Sequence, residues 1–364
     1  MIVKTGYKTI YDRLKQEIEN KVIAKGNLLP PESELALQYS VSRPTIAKVY
    51  NKLQEEGYVH KRKGAGTKVI YNKVKQTPLF GLLLPGAGES EIFAIINDQL
   101  LKLSGQGMFE CLWNGTTAND AQIRSDFLEV WANDYIKKGV DGIFFSPLER
   151  VENADAINEY ICRKIGEAGI PIVLIDRDIV DFPHRSRHDL VCIDNYNAGF
   201  VMGQHLIDRG CNTIYFFYRP NSAYSVQQRV SGVSAAARRS GLEFHSSHIF
   251  CGSPDDAELV GSIPIRGRVG VVCANDSTAA LLMSTFDEIG KVIGRDLLIC
   301  GYDDMKYAQH LKYPLTSYRQ PCEEIANVGV ELMLRRVNNP NVIPITATLN
   351  GEILARESTQ FAVK

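Results

Sequence analysis

The sequence predicts an α/β protein in two parts: an N-terminal winged helix-turn-helix, then a two-lobed domain with parallel sheets. Three observations point there. Positive charge is concentrated at the front of the chain. Residues 1–70 hold three helical periodicities and a glycine-tipped hairpin. The rest alternates short apolar runs with helical patterns.

Length and composition set the frame. With 364 residues the chain exceeds one small module and has room for two or three cores. It is 45% hydrophobic and 23% charged, with 29 Gly and 15 Pro, which excludes whole-chain disorder, collagen and a coiled-coil rod. No apolar run approaches the roughly 18 residues needed to span a bilayer. The start, MIVKTGYKTIYDRLKQEIEN, lacks an apolar leader core, so the expected compartment is the cytoplasm. The eight cysteines, at 111, 162, 192, 211, 251, 273, 300 and 322, form no C-x-x-C pair. They read as reduced, buried thiols, not a disulfide framework or zinc site.

The net charge of -1 hides an asymmetry. Residues 1–75 carry 15 Lys and Arg against 7 Asp and Glu, a balance of +8, so the remainder is at -9. A basic head on an acidic body suits a head that meets a polyanion.

Within the head, Ile10, Leu14, Ile18 and Val22 recur every four residues, one face of a helix over residues 9–22. Gly26 to Pro31 breaks the chain. A second helix is expected over 32–39, with Leu35 and Tyr39 inward. Ser40-Val41-Ser42 reads as a turn, with Val41 plugging the core and Ser42 capping a third helix over 43–56. Pro44 is tolerated in its first turn. Ile46, Val49, Tyr50 and Leu53 form its buried stripe, and Gly57 ends it. Residues 58–62 and 67–70 then flank Lys63-Gly64-Ala65-Gly66 as a basic, glycine-rich hairpin tip. On duplex DNA the third helix can enter a major groove by its N-terminal end. Arg43 is then placed to reach guanine, with Ser42, Thr45 and Lys48 beside it. The tip, Lys63, Gly64, Ala65 and Gly66, can meet phosphates or the minor groove.

Leu29-Pro30-Pro31-Glu32-Ser33-Glu34-Leu35-Ala36, Val41-Ser42-Arg43-Pro44-Thr45, Leu53 to Tyr58 and Gly64 to Val69 together resemble the winged-helix domain of the GntR family of bacterial regulators. The resemblance implies operator recognition by the third helix and the wing. Many members carry Arg at the position of Ser33 and a basic residue at that of Ala47, so operator preference does not carry over.

Residues 71–78 read as a polar linker, and residues 79–364 as the effector-binding and dimerisation domain. Its strand-like runs are 79–84, 109–113, 142–145, 172–175, 190–193, 213–217, 247–250, 270–273, 297–300 and 316–319. Helical patterns between most of them, such as 90–104, 122–138 and 195–209, mean parallel sheets covered on both faces, in two lobes. Ligands of such sheets bind in a crevice at the strands' carboxyl ends. Asp176, Arg177, Asp194, Asn195, Tyr218, Arg219, Asn275, Asp276, Asp303 and Gln320 fall just there. Carboxylates, amides, an Arg and aromatic rings suit a neutral polyol such as a sugar. Asp194 and Asn195 serve better as caps of the following helix, and Asp276 and Ser277 as helix-start residues.

Asp194 to Gly199, His205 to Gly210, Gln228 to Gly232, Ala274 to Ala279, Cys300 to Asp304 and Pro314 to Gln320 resemble the lactose-repressor-like effector domain, related to periplasmic sugar-binding proteins. With the GntR-type head, the chain looks like the hybrid arabinose-responsive repressors. In that family the positions matching Asp176, Arg229, Asn275, Asp303 and Gln320 line the effector pocket, and an aromatic, here Phe93, stacks on the sugar. The resemblance implies a DNA-binding homodimer whose grip on operator DNA responds to a pentose or deoxyhexose, without a cofactor.

Catalytic readings are weak. Gly86-x-Gly88 lacks the third glycine of a dinucleotide fingerprint, and Gly64-Ala65-Gly66-Thr67 lacks the P-loop Lys-Ser/Thr. His184 and His188, four apart, lie in a loop where that spacing does not align metal ligands. The alternative class, a sugar-modifying enzyme on a doubly wound fold, has no nucleophile–base pair to support it.

Overall fold

The computed structural model describes residues 6–20, 22–62, 66–71, 77–85, 91–113 and 121–361, leaving aside the side chains of 121–124. The chain divides into two compact units, Met1–Gln76 and Thr77–Lys364.

In the first unit α1 (Tyr7–Glu19), α2 (Glu32–Gln38) and α3 (Arg43–Glu55) close over one core, and β1 (Val59–Arg62) pairs antiparallel with β2 (Gly66–Val69). The buried stripes are Ile10, Leu14 and Ile18 on α1, and Ile46, Val49, Tyr50 and Leu53 on α3. Leu35 is buried with them, while Tyr39 and Val41 pack at the edge. The wing is tied to the helices by Leu29 N–H donating to the Thr67 carbonyl at 2.8 Å. The Tyr50 hydroxyl donates to the Pro30 carbonyl at 2.6 Å.

Two expectations fail at helix ends. Val22 is 73% exposed, because α1 stops at Glu19 and leaves it beyond the last buried turn. Ser42 stands at the N-cap of α3 but makes no cap bond; its hydroxyl pairs with that of Thr45 at 2.8 Å.

The second unit holds two six-stranded sheets. Lobe 1 runs β13 (Thr346–Leu349), β7 (Asp189–Ile193), β6 (Ile172–Ile175), β5 (Gly142–Phe145), β3 (Leu79–Leu83), β4 (Glu110–Trp113), all parallel. Lobe 2 runs β14 (Glu352–Leu354), β12 (Thr316–Arg319), β11 (Leu297–Tyr302), β10 (Val269–Cys273), β8 (Thr213–Tyr218), β9 (Ile249–Cys251), parallel but for antiparallel β14. Central strands such as β5, β6 and β10 are buried at every residue, as sheets covered on both faces require. The ten expected strands are present. The two others, β13 and β14, are short, half-exposed edge strands without an apolar run.

The covering helices are α4 (Glu91–Ser104), α5 (Ala121–Lys138), α6 (Ala154–Glu167), α7 (Asn195–Asp208), α8 (Tyr224–Arg239), α9 (Ala257–Gly261), α10 (Asp276–Glu288) and α11 (Cys322–Asn338). Glycine lets α7 and α8 touch backbone to backbone: a Cβ at Gly199 would stand 2.1 Å from the Arg229 carbonyl oxygen, and one at Gly232 would stand 2.0 Å from that of Tyr196.

The chain passes between lobes three times, at Asp194, at Gln320–Pro321 and at Asn350–Gly351. The crossings are tied together. Asp194 N–H donates to the Leu349 carbonyl (2.9 Å) and Gly351 N–H to the Tyr318 hydroxyl (2.7 Å).

All eight cysteines are free thiols, but not all are buried: Cys251 is exposed and Cys111 half-buried, since both sit on edge strands.

His205 of α7 contacts the Thr359 hydroxyl at 2.9 Å. Burial foremost, then Arg209, holds its imidazole below the ordinary value of 6.5. The unfolded chain therefore takes up this proton more readily, so the contribution to stability is full above pH 6.5 and is lost as pH falls below it. The drop in Tm from about pH 7 to pH 5 is expected to be smaller in His205→Gln than in the unsubstituted protein. Equal drops in a melting series would discount this imidazole.

Candidate functional site

Between the lobes of the second unit lies a cleft whose empty space, open mouth included, is about 770 Å³. Lobe 1 supplies Phe93 from α4, Glu149 and Arg150 from the loop after β5, and Asp176 and Arg177 after β6. Lobe 2 supplies Ser225 and Arg229 from α8, Asn275 before α10 and Asp303 after β11, and Gln320 comes from a crossing.

Arg177 is saturated by carboxylates. Its Nη1 is 2.7 Å from Glu149, and its Nη2 and Nε are 2.7 and 2.9 Å from Asp176. Burial alone would disfavour the guanidinium charge, but Glu149 and then Asp176 outweigh it and raise its pKa. Burial likewise opposes the Glu149 charge, yet Arg177 and Arg150 draw its carboxyl down to about 2. Arg229 donates from Nε to Asn195 (2.8 Å) and from Nη1 to the Ala274 carbonyl (2.6 Å), and stacks on Tyr302 at 4.4 Å. The guanidinium is therefore aimed before any ligand arrives.

Asp303 accepts from Gln320 Nε2 at 2.7 Å, which leaves Gln320 Oε1 buried without a partner among the described residues. Burial foremost raises the Asp303 carboxyl above its ordinary value, against Arg229 and Gln320. Asp176 (φ 74°) and Asp303 (φ 102°) both hold left-handed backbone, a strain on the order of 1–3 kcal/mol each. Such strain collects where geometry serves a ligand. The cavity thus offers acceptors at Asp303 and Gln320, donors at Arg229 and the Asn275 amide nitrogen, and an apolar wall at Phe93, Ile92 and Val226. Groups that both give and take hydrogen bonds beside an apolar face match a polyol.

Of the residues expected from the sequence, Phe93, Asp176, Arg177, Arg229, Asn275, Asp303 and Gln320 line this cavity together. Tyr218 does not line it: its ring packs 6.4 Å from Phe216 and against the core, because Tyr218 is still a paired residue of β8, opposite Cys251 of β9, and not part of the loop beyond the strand. Asn275 does more than expected, since its Oδ1 caps α10 by accepting from Thr278 N–H at 2.9 Å. Asp194 caps α7, and Asn195 is the buried acceptor that orients Arg229. Sequence reading missed Glu149, Arg150, Ser222 and Ser225. The signal was present for the first two, which follow β5 as Asp176 follows β6.

In the head, Ser42, Arg43 and Lys48 are exposed and Thr45 is half-buried at the start of α3. Glu32 holds Arg43 at 3.4 Å and Lys61 of the wing at 2.7 Å. The Lys48 ammonium lies 5.3 Å over the Tyr7 ring. No acid occupies the first turn of α3, so its N–H groups and dipole favour an anion. Gly66 opens β2 opposite Arg62 with φ +85°. Lys63, Gly64 and Ala65 lie outside the described residues.

Residues 6–69 match the family of bacterial regulatory proteins, gntR family, and residues 204–359 match the periplasmic binding protein-like domain. The chain is a GntR-type helix-turn-helix head on a periplasmic-binding-protein-like body. It is 24% identical over 367 residues to the arabinose metabolism transcriptional repressor of Geobacillus stearothermophilus, covering 96% of this chain and 97% of the relative. Among solved structures, its fold is similar to that of the transcriptional regulator CelR–cellobiose complex (TM-score 0.64, 22% identity, 91% of this chain and 100% of that one). It is also similar to the lac repressor dimer bound to operator and the anti-inducer ONPF (TM-score 0.60, 17% identity, 79% and 96%).

Proposed function

We infer that the protein is a transcriptional repressor that binds operator DNA through α3 and the wing, and that a small neutral sugar seated between the lobes releases it. The observation that carries this is the interlobe cavity, where a buried, unpaired Gln320 oxygen, a strained Asp303 and a pre-aimed Arg229 converge in a chain that also bears a basic winged head. A pentose or deoxyhexose fits better than an anion, since Arg177 already spends its charge on Glu149 and Asp176. The operator-contacting set is Ser42, Arg43, Thr45, Lys48 and the tip from Lys63 to Gly66. The relatives support the repressor class, and the lac repressor dimer supports a homodimer reading two half-sites. The proposed setting is the cytoplasm; among the described residues no helix is long and apolar enough to cross a membrane.

A gel shift on the gene's own upstream DNA, with a panel of pentoses and deoxyhexoses, tests both halves. Binding that one sugar abolishes is the expected result; no binding at low salt sinks the repressor reading, and binding insensitive to every sugar sinks the effector. Arg43→Ala is expected to weaken operator binding by about 1–3 kcal/mol and relax preference at one base pair. Lys63→Ala is expected to weaken all sequences alike and flatten the salt dependence. Equal losses on operator and random DNA for Arg43→Ala would remove it from base recognition.

A further inference from the structure

Glu149 lines the cavity and also bonds across the cleft through its side chain. Its Oε1 holds Arg177 on its own lobe, and its Oε2 accepts from Ala223 N–H, 3.2 Å away at the start of α8 on lobe 2. That helix carries Ala at its N-cap, no side-chain cap bond and no acid in its first turn. A carboxylate from the opposite lobe therefore meets a positive helix end that its own lobe leaves bare. Two further bonds join the same segments: Arg150 N–H donates to the Asn221 carbonyl (2.6 Å) and the Tyr224 hydroxyl to Asp155 (2.5 Å).

We propose that residues 149–155 and 221–224 form a clasp that sets the balance between open and closed lobes, with Glu149 as the positioning residue that ties the clasp to the sugar cavity through Arg177. Opening the lobes strips Glu149 of the α8 amide and leaves Arg177 between two carboxylates in water. Closing returns the Ala223 amide to Glu149 and withdraws its pair with Arg177 from water. Arg229, on the same α8, is brought to the cavity by the same movement. Glu149 thus acts on the sugar response through lobe position, and Tyr224, which does not line the sugar cavity, acts with it. The link to operator release builds on the repressor reading above; the clasp itself does not.

Amide hydrogen exchange on the full chain without sugar tests the clasp alone. Glu149→Ala and Tyr224→Phe are each expected to speed exchange at Ala223 to Val226 by about tenfold, the loss of one charge-assisted hydrogen bond. Unchanged protection in Glu149→Ala overturns the clasp. The sugar titration of operator release tests its function. Both variants are expected to raise the half-release concentration, Glu149→Ala by about tenfold. A shift in Glu149→Ala with none in Tyr224→Phe overturns the proposal, reducing Glu149 to a plain wall of the cavity. If the unsubstituted protein itself ignores every sugar, the repressor reading of the cavity fails, and the exchange result still decides the clasp.

Discussion

Gly232→Ala is expected to be the most damaging single methyl group in the body. The new Cβ would stand 2.0 Å from the Tyr196 carbonyl oxygen and 2.6 Å from the Phe200 nitrogen, both backbone atoms of α7. Backbone cannot step aside as a flexible side chain can, so α7 and α8 must part. Overpacking of this kind costs about 1–3 kcal/mol, and the backbone clash puts this case at the top of that range or beyond. Function falls with stability, because α8 carries Arg229 and the Gly199 face meets Arg229 itself. Gly261→Ala is the control: nothing lies within 4 Å of its added Cβ, and its Tm is expected to stay unchanged. Thermal melts of the two variants decide the matter, and a Gly232→Ala protein as stable as the control would mean that the helices do not pack this closely in solution.

The second large effect concerns Asp303→Ala. The side chain is a buried acceptor beside Arg229, and Gln320 donates to it. Its removal leaves the Gln320 amide nitrogen without its acceptor and takes a buried carboxylate from beside Arg229, so sugar affinity is expected to fall by about 2–4 kcal/mol, near thirtyfold to a thousandfold. Operator affinity without sugar is expected to hold, since the head is a separate unit. Asp303→Asn serves as companion, because asparagine tolerates the left-handed backbone better than alanine does. Calorimetry with the responsive sugar and a gel shift without it separate the two readouts. Loss of operator binding in both variants would place Asp303 in the stability of the fold instead of the site.

Much of this was legible in the residues. The stripes Ile10-Leu14-Ile18 and Ile46-Val49-Tyr50-Leu53 sit where a 3.6-residue period places them, because the head is small and each helix has one buried face. The apolar strand runs are equally plain, since parallel strands are buried on both sides. Of the seven expected cavity residues, Asp176, Arg177, Asn275, Asp303 and Gln320 follow the carboxyl ends of strands, and Phe93 and Arg229 join them from α4 and α8. What escaped has physical reasons too. The edge strands β13 and β14 bury little, so no apolar run announces them. Tyr218 ends a strand as Asp176 follows one, but one residue of register turns a side chain from the cleft to the core. The partnership of Glu149 with α8 joins segments more than seventy residues apart, a distance over which local pattern carries no signal.

The threefold passage between lobes bears on how the protein is made. The head can take shape as soon as it leaves the ribosome, for its contacts are local. Neither sheet of the body can be completed so early: β13 closes one border with residues 346–349, and β14 closes the other with residues 352–354. Nearly the whole polypeptide must be translated before either half has its last neighbour. During synthesis a finished DNA-binding module therefore precedes an unfinished sensor, and a premature stop shortly before β13 would release a head with no working control.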